Sequence, residues 1–380
     1  MSIYLDTAAT SAKRPECVAE RMSYYLSSVG TSVNRGSYGS EIESSRELYS
    51  LRQSLCKLFN CDSEERAIIT SGATMSLNTA ILGLLCDGDR VLYTSMEHNS
   101  VLRPIASLGN RIDAEMLMCD AEGRLDTDEL VRSLKRKKTR AVILNHASNV
   151  CGTLQDAETV GKLCREYGAY FILDCSQTAG HVDIDMQACC ADAIAASGHK
   201  GLMGPSGIGV LMLSQSMAEV LHPIVFGGTG SFSDSVSQPE ALPDRFESGT
   251  PNVPGIFGLN AALGFVNLEG AENMHAHEQK LTGRFVEGLC EIEGIRFFGG
   301  CGDCVGTCSV TFDNIDNAEA AYRLETEFGI YTRCGLHCAP WAHKTLGTYP
   351  SGSVRFSYGY YNNEAEIDSA IEALKSITRA

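Results

Sequence analysis

The sequence predicts an α/β fold whose large domain is built on a mainly parallel β-sheet flanked by helices. Short apolar runs of strand length, at residues 67–70, 141–144 and 170–173, alternate with segments of helical periodicity. Such runs are typical of parallel strands that helices cover on both faces, and the alternation indicates crossover connections. With 380 residues, 44% of them hydrophobic, the chain can bury a large core and an enclosed site.

Periodicity and helix start and stop residues assign the individual elements along the chain. Pro15 and Gly30 bracket a first helix, and leucines at three- and four-residue spacing between residues 48 and 58 predict a second. Further helices are predicted over 74–85, after Asn99, over 156–167 with Gly168 as the stop, over 256–290 and over 367–377. Strands are predicted over 67–70, 90–94, 141–144, 170–173, 193–196, 208–213, 295–298, 309–312 and 354–357.

A change in composition divides the chain into two predicted domains. Residues 226–254 are rich in Gly, Ser and Pro and predict a long irregular stretch, which in a compact chain is more often functional than idle. We therefore expect a large domain over residues 15–250. A small α+β domain would be formed by residues 1–14 and 251–380.

The charge balance disfavours several classes of function. The chain carries 47 acidic against 31 basic side chains, a formal charge of −16, which argues against binding to nucleic acid or to an anionic membrane surface. No apolar run approaches the roughly 18 residues of a membrane helix, and the first residues do not resemble an export signal. We expect a cytoplasmic protein whose 16 cysteines are reduced.

Three segments that follow predicted strands carry groups suited to one ligand. Residues 71–74 open a helix whose N–H groups could hold a phosphate, with a plain helix cap as the alternative. Asp174 follows a buried strand, where its carboxylate could face an arginine or a protonated ring nitrogen. Lys200 has glycine neighbours that leave room for a carbonyl group, although most lysines are solvated surface residues. A phosphate, a ring nitrogen and an aldehyde together describe pyridoxal phosphate.

The order and spacing of these segments resemble the class V aminotransferase family of fold type I pyridoxal-phosphate enzymes. Within that family the chain is similar to the cysteine desulfurases and selenocysteine lyases. The likeness runs from residues 4–10 (YLDTAAT) to residues 354–357 (VRFS) and so covers nearly the whole chain. It implies pyridoxal phosphate as the cofactor and a homodimer with shared active sites.

The resemblance implies a role for each matching residue. Lys200 would form the Schiff base with the cofactor, Asp174 would pair with its ring nitrogen, and His98 would stack on the ring, where a core histidine is the alternative. Further cofactor contacts would come from Ala73, Thr74, Asn149, Gln177, Ser197, His199 and, across the dimer, Thr250. Arg355 would clamp the substrate carboxylate, with a surface ion pair as the alternative, and we expect Asn34 at the substrate as well.

A cysteine-containing loop points to the reaction. Residues 333–340 (RCGLHCAP) resemble the Arg-x-Gly-x-His-Cys-Ala loop of the second, SUF-type group of cysteine desulfurases, in which the nucleophile matches Cys338. An inert core position is the usual role of a single cysteine. Cys338 instead lies beside His337 and before a predicted helix start, a setting that favours the reactive thiolate. The resemblance therefore predicts conversion of L-cysteine to L-alanine with a persulfide on Cys338.

Departures from the family pattern keep other activities open. Leu336 stands where the family commonly has His, and Pro340-Trp341 follows the Cys-Ala pair. The sequence therefore does not decide which protein accepts the sulfur or whether the chain takes part in iron–sulfur assembly. It also leaves open whether Cys334 relays sulfur from Cys338. A selenocysteine lyase is the main alternative, and a class V transaminase or epimerase is a further one.

A non-enzymatic cysteine-rich metal or redox protein is an alternative from a different class. Cys301, Cys304 and Cys308 could suggest a metal or iron–sulfur site, but no second Cys or His pair follows at a standard spacing. This alternative also leaves the three pyridoxal-phosphate segments unexplained. We therefore expect no metal site.

Overall fold

The computed structural model describes residues 2–33, 38–300 and 302–379. Its strands are β1 (Ile3–Tyr4), β2 (Ala67–Thr70), β3 (Arg90–Thr94), β4 (Asp113–Leu117), β5 (Ala141–Asn145), β6 (Tyr170–Asp174), β7 (Ala193–Ser197), β8 (Gly209–Leu213), β9 (Ile295–Phe298), β10 (Thr307–Phe312), β11 (Ile330–Tyr331), β12 (Arg333–Gly335) and β13 (Ser353–Ser357). Its helices are α1 (Glu16–Tyr24), α2 (Gly39–Phe59), α3 (Ala73–Leu84), α4 (Asn99–Leu108), α5 (Thr127–Arg136), α6 (Ala157–Glu166), α7 (Gln215–Val220), α8 (Val253–Glu269), α9 (Ala271–Cys290), α10 (Asn317–Phe328), α11 (Pro340–Thr345) and α12 (Glu364–Arg379). The predicted irregular stretch is confirmed, since residues 226–252 contain neither helix nor strand.

The large sheet has seven strands in the order β2-β8-β7-β6-β5-β3-β4. Strand β8 runs antiparallel to its neighbours β2 and β7, and the remaining pairs are parallel, which confirms the predicted mainly parallel sheet. Asn145 pairs with Asp174, and Asp174 pairs with Ala195. The parallel strands therefore end at one shared edge, which is where open α/β sheets bind their ligands.

A second, antiparallel sheet of four strands has the order β12-β13-β10-β9. Strand β13 lies inside this sheet, and its Arg355 is opposite Arg333 on β12 and Ser309 on β10. The N-terminal strand β1 pairs in parallel with β11. The N-terminal segment therefore lies beside the small sheet.

Helices cover both faces of the large sheet. One buried cluster joins the sheet to α2, α6 and α8 through residues such as Leu51, Val160 and Phe257. A second cluster joins the other face to α3 and α4 through Leu77 and Val101, and a third packs α9, α10 and α12 on the small sheet. Burying side chains of this size contributes about 1.5–3 kcal/mol each. Among the described helices, none is long and apolar enough to cross a membrane.

Among the elements that differ from the pattern-based assignment, two differ for identifiable local reasons. The helical region expected over 256–290 is two helices, α8 and α9, because Gly270 between them has a φ of +81°, outside the right-handed helical region. Strand β4 has no strand-length apolar run, because it is an edge strand whose first residues are exposed. Helix α8 packs against α1 and α2 in the core of the large sheet, and the domain division at residue 250 stays a prediction.

Candidate active site

A cavity opens at the carboxyl edge of the large sheet, where open α/β sheets bind their ligands. The structure brings eight of the ten predicted cofactor residues to its wall: Ala73, Thr74, His98, Asn149, Asp174, Gln177, Ser197 and Lys200. These residues stand at, or shortly after, the ends of β2, β3, β5, β6 and β7. The alternation of strands and helices therefore gathers residues that are far apart in the sequence.

Of the other predicted site residues that the structure describes, four do not contribute to this wall, namely His199, Thr250, Cys338 and Arg355. His199 is turned to the N-terminal segment, where its Nδ1 and the Thr10 Oγ1 are hydrogen-bonded at 3.0 Å. Thr250 is exposed and lines a separate, larger cavity together with Ser71. Asn34 lies outside the described residues.

Asp174 is a buried carboxylate at the end of β6. Its Oδ1 accepts hydrogen bonds from the Ser176 amide at 3.0 Å and from the Ser176 hydroxyl at 2.5 Å. No described residue donates to the other oxygen, Oδ2. Because a buried carboxylate is costly without partners, this oxygen is suited to a cationic or N–H group of a ligand in the cavity.

Lys200 supplies an amine to the same cavity. The surrounding protein removes water from this amine and lowers its pKa to about 8, while Asp174 opposes the shift and Arg355 adds to it. A lysine with this pKa is partly neutral near pH 7 to 8. The neutral amine is the form that attacks a carbonyl group.

His98 is the N-cap residue of α4. Its Nδ1 accepts a hydrogen bond from the Ser100 amide at 3.1 Å. Burial and the neighbouring Lys200 lower the pKa of His98 to about 4, so the imidazole is neutral at neutral pH. Because Nδ1 accepts, the proton of the neutral ring lies on Nε2.

The Gly-Ala-Thr turn forms the start of α3. Gly72 is the N-cap residue, with a φ of +151°, and it has no side chain to cap the helix. The first N–H groups of a helix lack helical acceptors, so those of Ala73 and Thr74 are suited to an anion such as a phosphate. Ser197, at the end of β7, adds a hydroxyl to the cavity wall.

Glu97 is a buried carboxyl near the cavity that the sequence pattern does not single out. Its Oε1 accepts hydrogen bonds from Thr94 Oγ1 at 2.6 Å and from the Asn145 amide at 2.9 Å. Its buried Oε2 has no partner among the described residues. Burial raises the pKa of Glu97 to about 8, with a further contribution from Asp174. Glu97 therefore ties the turn before His98 to the end of β5 and is largely neutral at pH 7.

Arg355 is buried in the small sheet, so the ion pair that it forms is not a surface one. Its Nη2 donates to Asp6 Oδ1 at 2.6 Å and its Nη1 donates to the main-chain oxygen of Asn149 at 3.0 Å, while the buried Nε has no partner among the described residues. Asp6 also accepts a hydrogen bond from Arg333 at 3.0 Å. Asp6 and Asn149 thus orient the guanidinium. Sequence patterns do not find Asp6, because 349 positions separate it from Arg355.

The nucleophile loop, residues 336–339, connects the small sheet to α11 and contains the exposed Cys338. The main-chain oxygen of Cys338 accepts a hydrogen bond from the Asn99 amide at 2.8 Å. The main-chain oxygen of His337 accepts one from Asn149 Nδ2 at 2.7 Å. The loop therefore rests on the turns of the large sheet that carry His98 and Asn149. The predicted helix start is confirmed at Pro340.

Cys334 faces away from this site. On β12 it pairs with Val354, whereas Arg333 pairs with Arg355. Successive residues of a strand point to opposite faces, so Cys334 and Arg355 lie on different faces of the small sheet. Cys334 packs against the apolar cluster on that face, and burial raises its pKa. This placement argues against a sulfur relay through Cys334.

The cysteines that could have suggested a metal site are only partly described. Cys304 and Cys308 are buried, and Cys301 lies outside the described residues. In the part of the chain that the structure describes, no group of three His, Cys, Asp or Glu side chains is arranged to hold a metal ion.

The cavity residues fit pyridoxal phosphate. Asp174 Oδ2 has no partner among the described residues and is suited to a protonated ring nitrogen, and the lowered pKa of Lys200 suits an aldehyde. The N-terminus of α3 is suited to the phosphate. One cavity therefore offers separate partners for the ring nitrogen, the aldehyde and the phosphate of this cofactor.

The chain is similar to known proteins over nearly its whole length. Residues 3–369 match the model of the family described as aminotransferase class-V. A probable cysteine desulfurase of Methanothermobacter thermautotrophicus is 32% identical, and the match covers 99% of this chain and 94% of that protein. Among solved structures, the apo cysteine desulfurase of Thermococcus onnurineus NA1 has a TM-score of 0.93 at 30% identity, with 100% of this chain and 95% of that chain covered. The cysteine desulfurase CsdA of Escherichia coli, in its S-sulfonic acid form, has a TM-score of 0.88 at 27% identity, with 99% and 94% covered.

The buried carboxyl of Glu97 predicts a pH-dependent stability difference. Its pKa is raised from 4.5 to about 8, so between these values the folded chain keeps a proton that the unfolded chain releases. The Glu97 contribution therefore falls by up to about 1.4 kcal/mol per pH unit as pH rises towards 8. The glutamine of Glu97→Gln cannot ionise. The free energy of unfolding of this variant should therefore increase relative to that of the natural chain as the pH rises from 5 to 8. Urea unfolding of both proteins measures this difference, and a difference independent of pH would contradict the prediction.

Proposed function

This chain belongs to the class V aminotransferase family, and we propose that it is a pyridoxal-phosphate-dependent cysteine desulfurase in which Cys338 receives the sulfur of L-cysteine. One observation supports the role of Cys338 above others. Its loop is hydrogen-bonded to Asn99 and Asn149, at the cavity that holds Lys200. An exposed thiol on a fixed loop beside a site suited to this cofactor is the arrangement that sulfur transfer requires.

The side chains divide the reaction between them. The guanidinium of Arg355 would bind the substrate carboxylate. Asp174, through Oδ2, would hold the ring nitrogen in its protonated state, and the neutral His98 would contact the ring without adding a charge. When bound, pyridoxal phosphate supplies an electron sink for the Cα of the substrate. Lys200 Nζ would take the Cα proton of the substrate.

The transfer step balances without an outside oxidant. The thiolate of Cys338 attacks the substrate sulfur, so the carbon–sulfur bond of the substrate breaks and a sulfur–sulfur bond forms on Cys338. The electron pair of the broken bond stays with the Cβ carbon, which takes up a proton. The products are L-alanine and a persulfide on Cys338.

Finer assignments belong to the same proposal. The residues of the nucleophile loop support membership of the SUF-type group, and the exposed Thr250, outside its own chain's cofactor cavity, supports a homodimer with shared sites. A partner protein would then accept the sulfur from Cys338. The expected cytoplasmic location stays a prediction.

Selenocysteine lyase activity is the second candidate, favoured by Leu336 where the related desulfurases commonly have His. Turnover of L-cysteine and of L-selenocysteine by the same preparation separates the two. Alanine release without a keto acid distinguishes both activities from transamination.

Replacement of Cys338 by Ser tests the nucleophile. Alanine formation from L-cysteine should fall at least about 100-fold, because the hydroxyl cannot accept the sulfur, while the visible absorption of the bound cofactor should persist. Cys290→Ser is the matched control, since Cys290 is also exposed but lies on α9. Unchanged turnover in Cys338→Ser would remove this residue from the mechanism.

Replacement of Lys200 by Ala tests the cofactor linkage. After borohydride reduction, mass spectrometry of the natural protein should find the cofactor mass on the peptide that contains Lys200. Lys200→Ala should lose this adduct, and Lys13→Ala should keep it because Lys13 is an exposed lysine of the N-terminal segment. An adduct that persists in Lys200→Ala, or that sits on another lysine, would refute the assignment.

A further inference from the structure

The nucleophile loop holds two consecutive residues in an unfavourable backbone conformation. His337 has a φ of +48° and Cys338 a φ of +57°, both in the left-handed region although neither is glycine. This conformation is unfavourable for residues with a Cβ, because the Cβ comes too close to the following carbonyl oxygen. Residues of this kind persist only where the surrounding structure fixes them, and they cluster at functional sites.

Contacts from the large sheet fix the main chain at both residues. Asn149 Nδ2 donates to the His337 oxygen at 2.7 Å, and the Asn99 amide donates to the Cys338 oxygen at 2.8 Å. The second contact comes from the main chain of α4. Among the described residues of the large sheet, Asn149 is therefore the one whose side chain donates a hydrogen bond to the main chain of His337 and Cys338.

Asn149 contacts other parts of the site as well. Its main-chain oxygen accepts the hydrogen bond from Arg355 at 3.0 Å, and the residue lines the cofactor cavity. Its side-chain Oδ1 is buried without a partner among the described residues. Burying an amide is costly unless its hydrogen bonds are made, and the bond to His337 is the one that the Asn149 side chain makes.

We propose that Asn149 is a positioning residue for Cys338, whose side-chain amide holds the nucleophile loop in its left-handed conformation beside the cofactor cavity. This inference rests on the proposed function, because it assigns Cys338 the role of nucleophile. It differs from the cofactor contact expected from the sequence, since it depends on Nδ2 and the His337 oxygen. The main chain of Asn149 keeps Arg355 in place separately, so substrate binding and loop position depend on different atoms of one residue.

Asn149→Asp tests this role with a nearly isosteric side chain. The aspartate has no N–H to donate and places an oxygen against the His337 oxygen, so the loop should leave its position. The Asn99 amide, which donates to Cys338, should then exchange its hydrogen at least about tenfold faster in the resting holoenzyme. Iodoacetamide should alkylate Cys338 at least about threefold faster, relative to the exposed Cys290 in the same molecule. In steady state, kcat should fall by about 10–100-fold, as for a displaced reacting group, with KM nearly unchanged.

Two further variants separate the loop contact from cofactor binding and from folding. Gln177→Glu makes the same amide-to-acid change at the cavity wall, but Gln177 Nε2 donates to the Ala8 oxygen, not to the loop. It should leave the Asn99 exchange and the Cys338 alkylation as they are in the natural protein. Asn149→Ser, which is neutral but too short to reach His337, should reproduce the effects of Asn149→Asp, with folding verified by thermal unfolding.

The outcomes are distinct from those of the proposed function. The inference would be overturned if, in Asn149→Asp and Asn149→Ser, the Asn99 amide exchanged and Cys338 was alkylated at the rates of the natural protein. It would also be overturned if Gln177→Glu changed these two rates as much as the Asn149 variants do. Failure of both Asn149 variants to fold would also overturn it, since the residue would then serve the fold and not the loop. Alkylation and exchange do not depend on desulfuration. If Cys338→Ser kept full turnover, the proposed function would fall while the loop contact remained measurable.

Discussion

The shared carboxyl edge of the parallel strands is the constraint on which the site depends. The register that pairs Asn145 with Asp174 and Asp174 with Ala195 fixes how far each strand extends. A shift of one residue along β6 would turn Asp174 to the opposite face of the sheet. The turns after β3, β5 and β7 carry His98, Asn149 and Lys200 to the same edge, so the backbone pairing sets the site before any side chain contributes.

Exclusion of water at this edge determines the charges of the site. It lowers the pKa of Lys200 to about 8 and that of His98 to about 4, and it raises that of Glu97 to about 8. Each shift favours the neutral form of the group. Asp174 and Arg355 keep direct hydrogen-bonding partners, Ser176 and Asp6. The site therefore combines groups whose neutral form is favoured with hydrogen-bonded polar groups that are suited to holding a ligand.

Local patterns predicted the parts of the fold that local chemistry determines. The apolar runs at residues 67–70 and 295–298 match β2 and β9, whereas the polar edge strand β4 gave no signal. The same limit applies to the site. Lys200 and Asp174 stand next to recognisable strands and turns, but Asp6 and Glu97 become informative only through contacts that folding creates. The hydrogen bond between Asp6 and Arg355 spans 349 positions. The roles of the cavity residues stay predictions, and the structure supplies their placement.

The nucleophile loop shows why placement and chemistry have to be considered together. The small sheet supplies Cys338, Arg333 and Arg355, whereas the large sheet supplies the cofactor cavity, so the reaction needs the two sheets to meet at one geometry. Asn99 and Asn149 connect the large sheet to the nucleophile loop through hydrogen bonds to main-chain oxygens of the loop. Main-chain oxygens are present whatever the side chain, so these two hydrogen bonds do not themselves depend on which side chain stands at Leu336. A loop held by its backbone can therefore keep the sulfur atom in position while its side chains differ, as Leu336 does here.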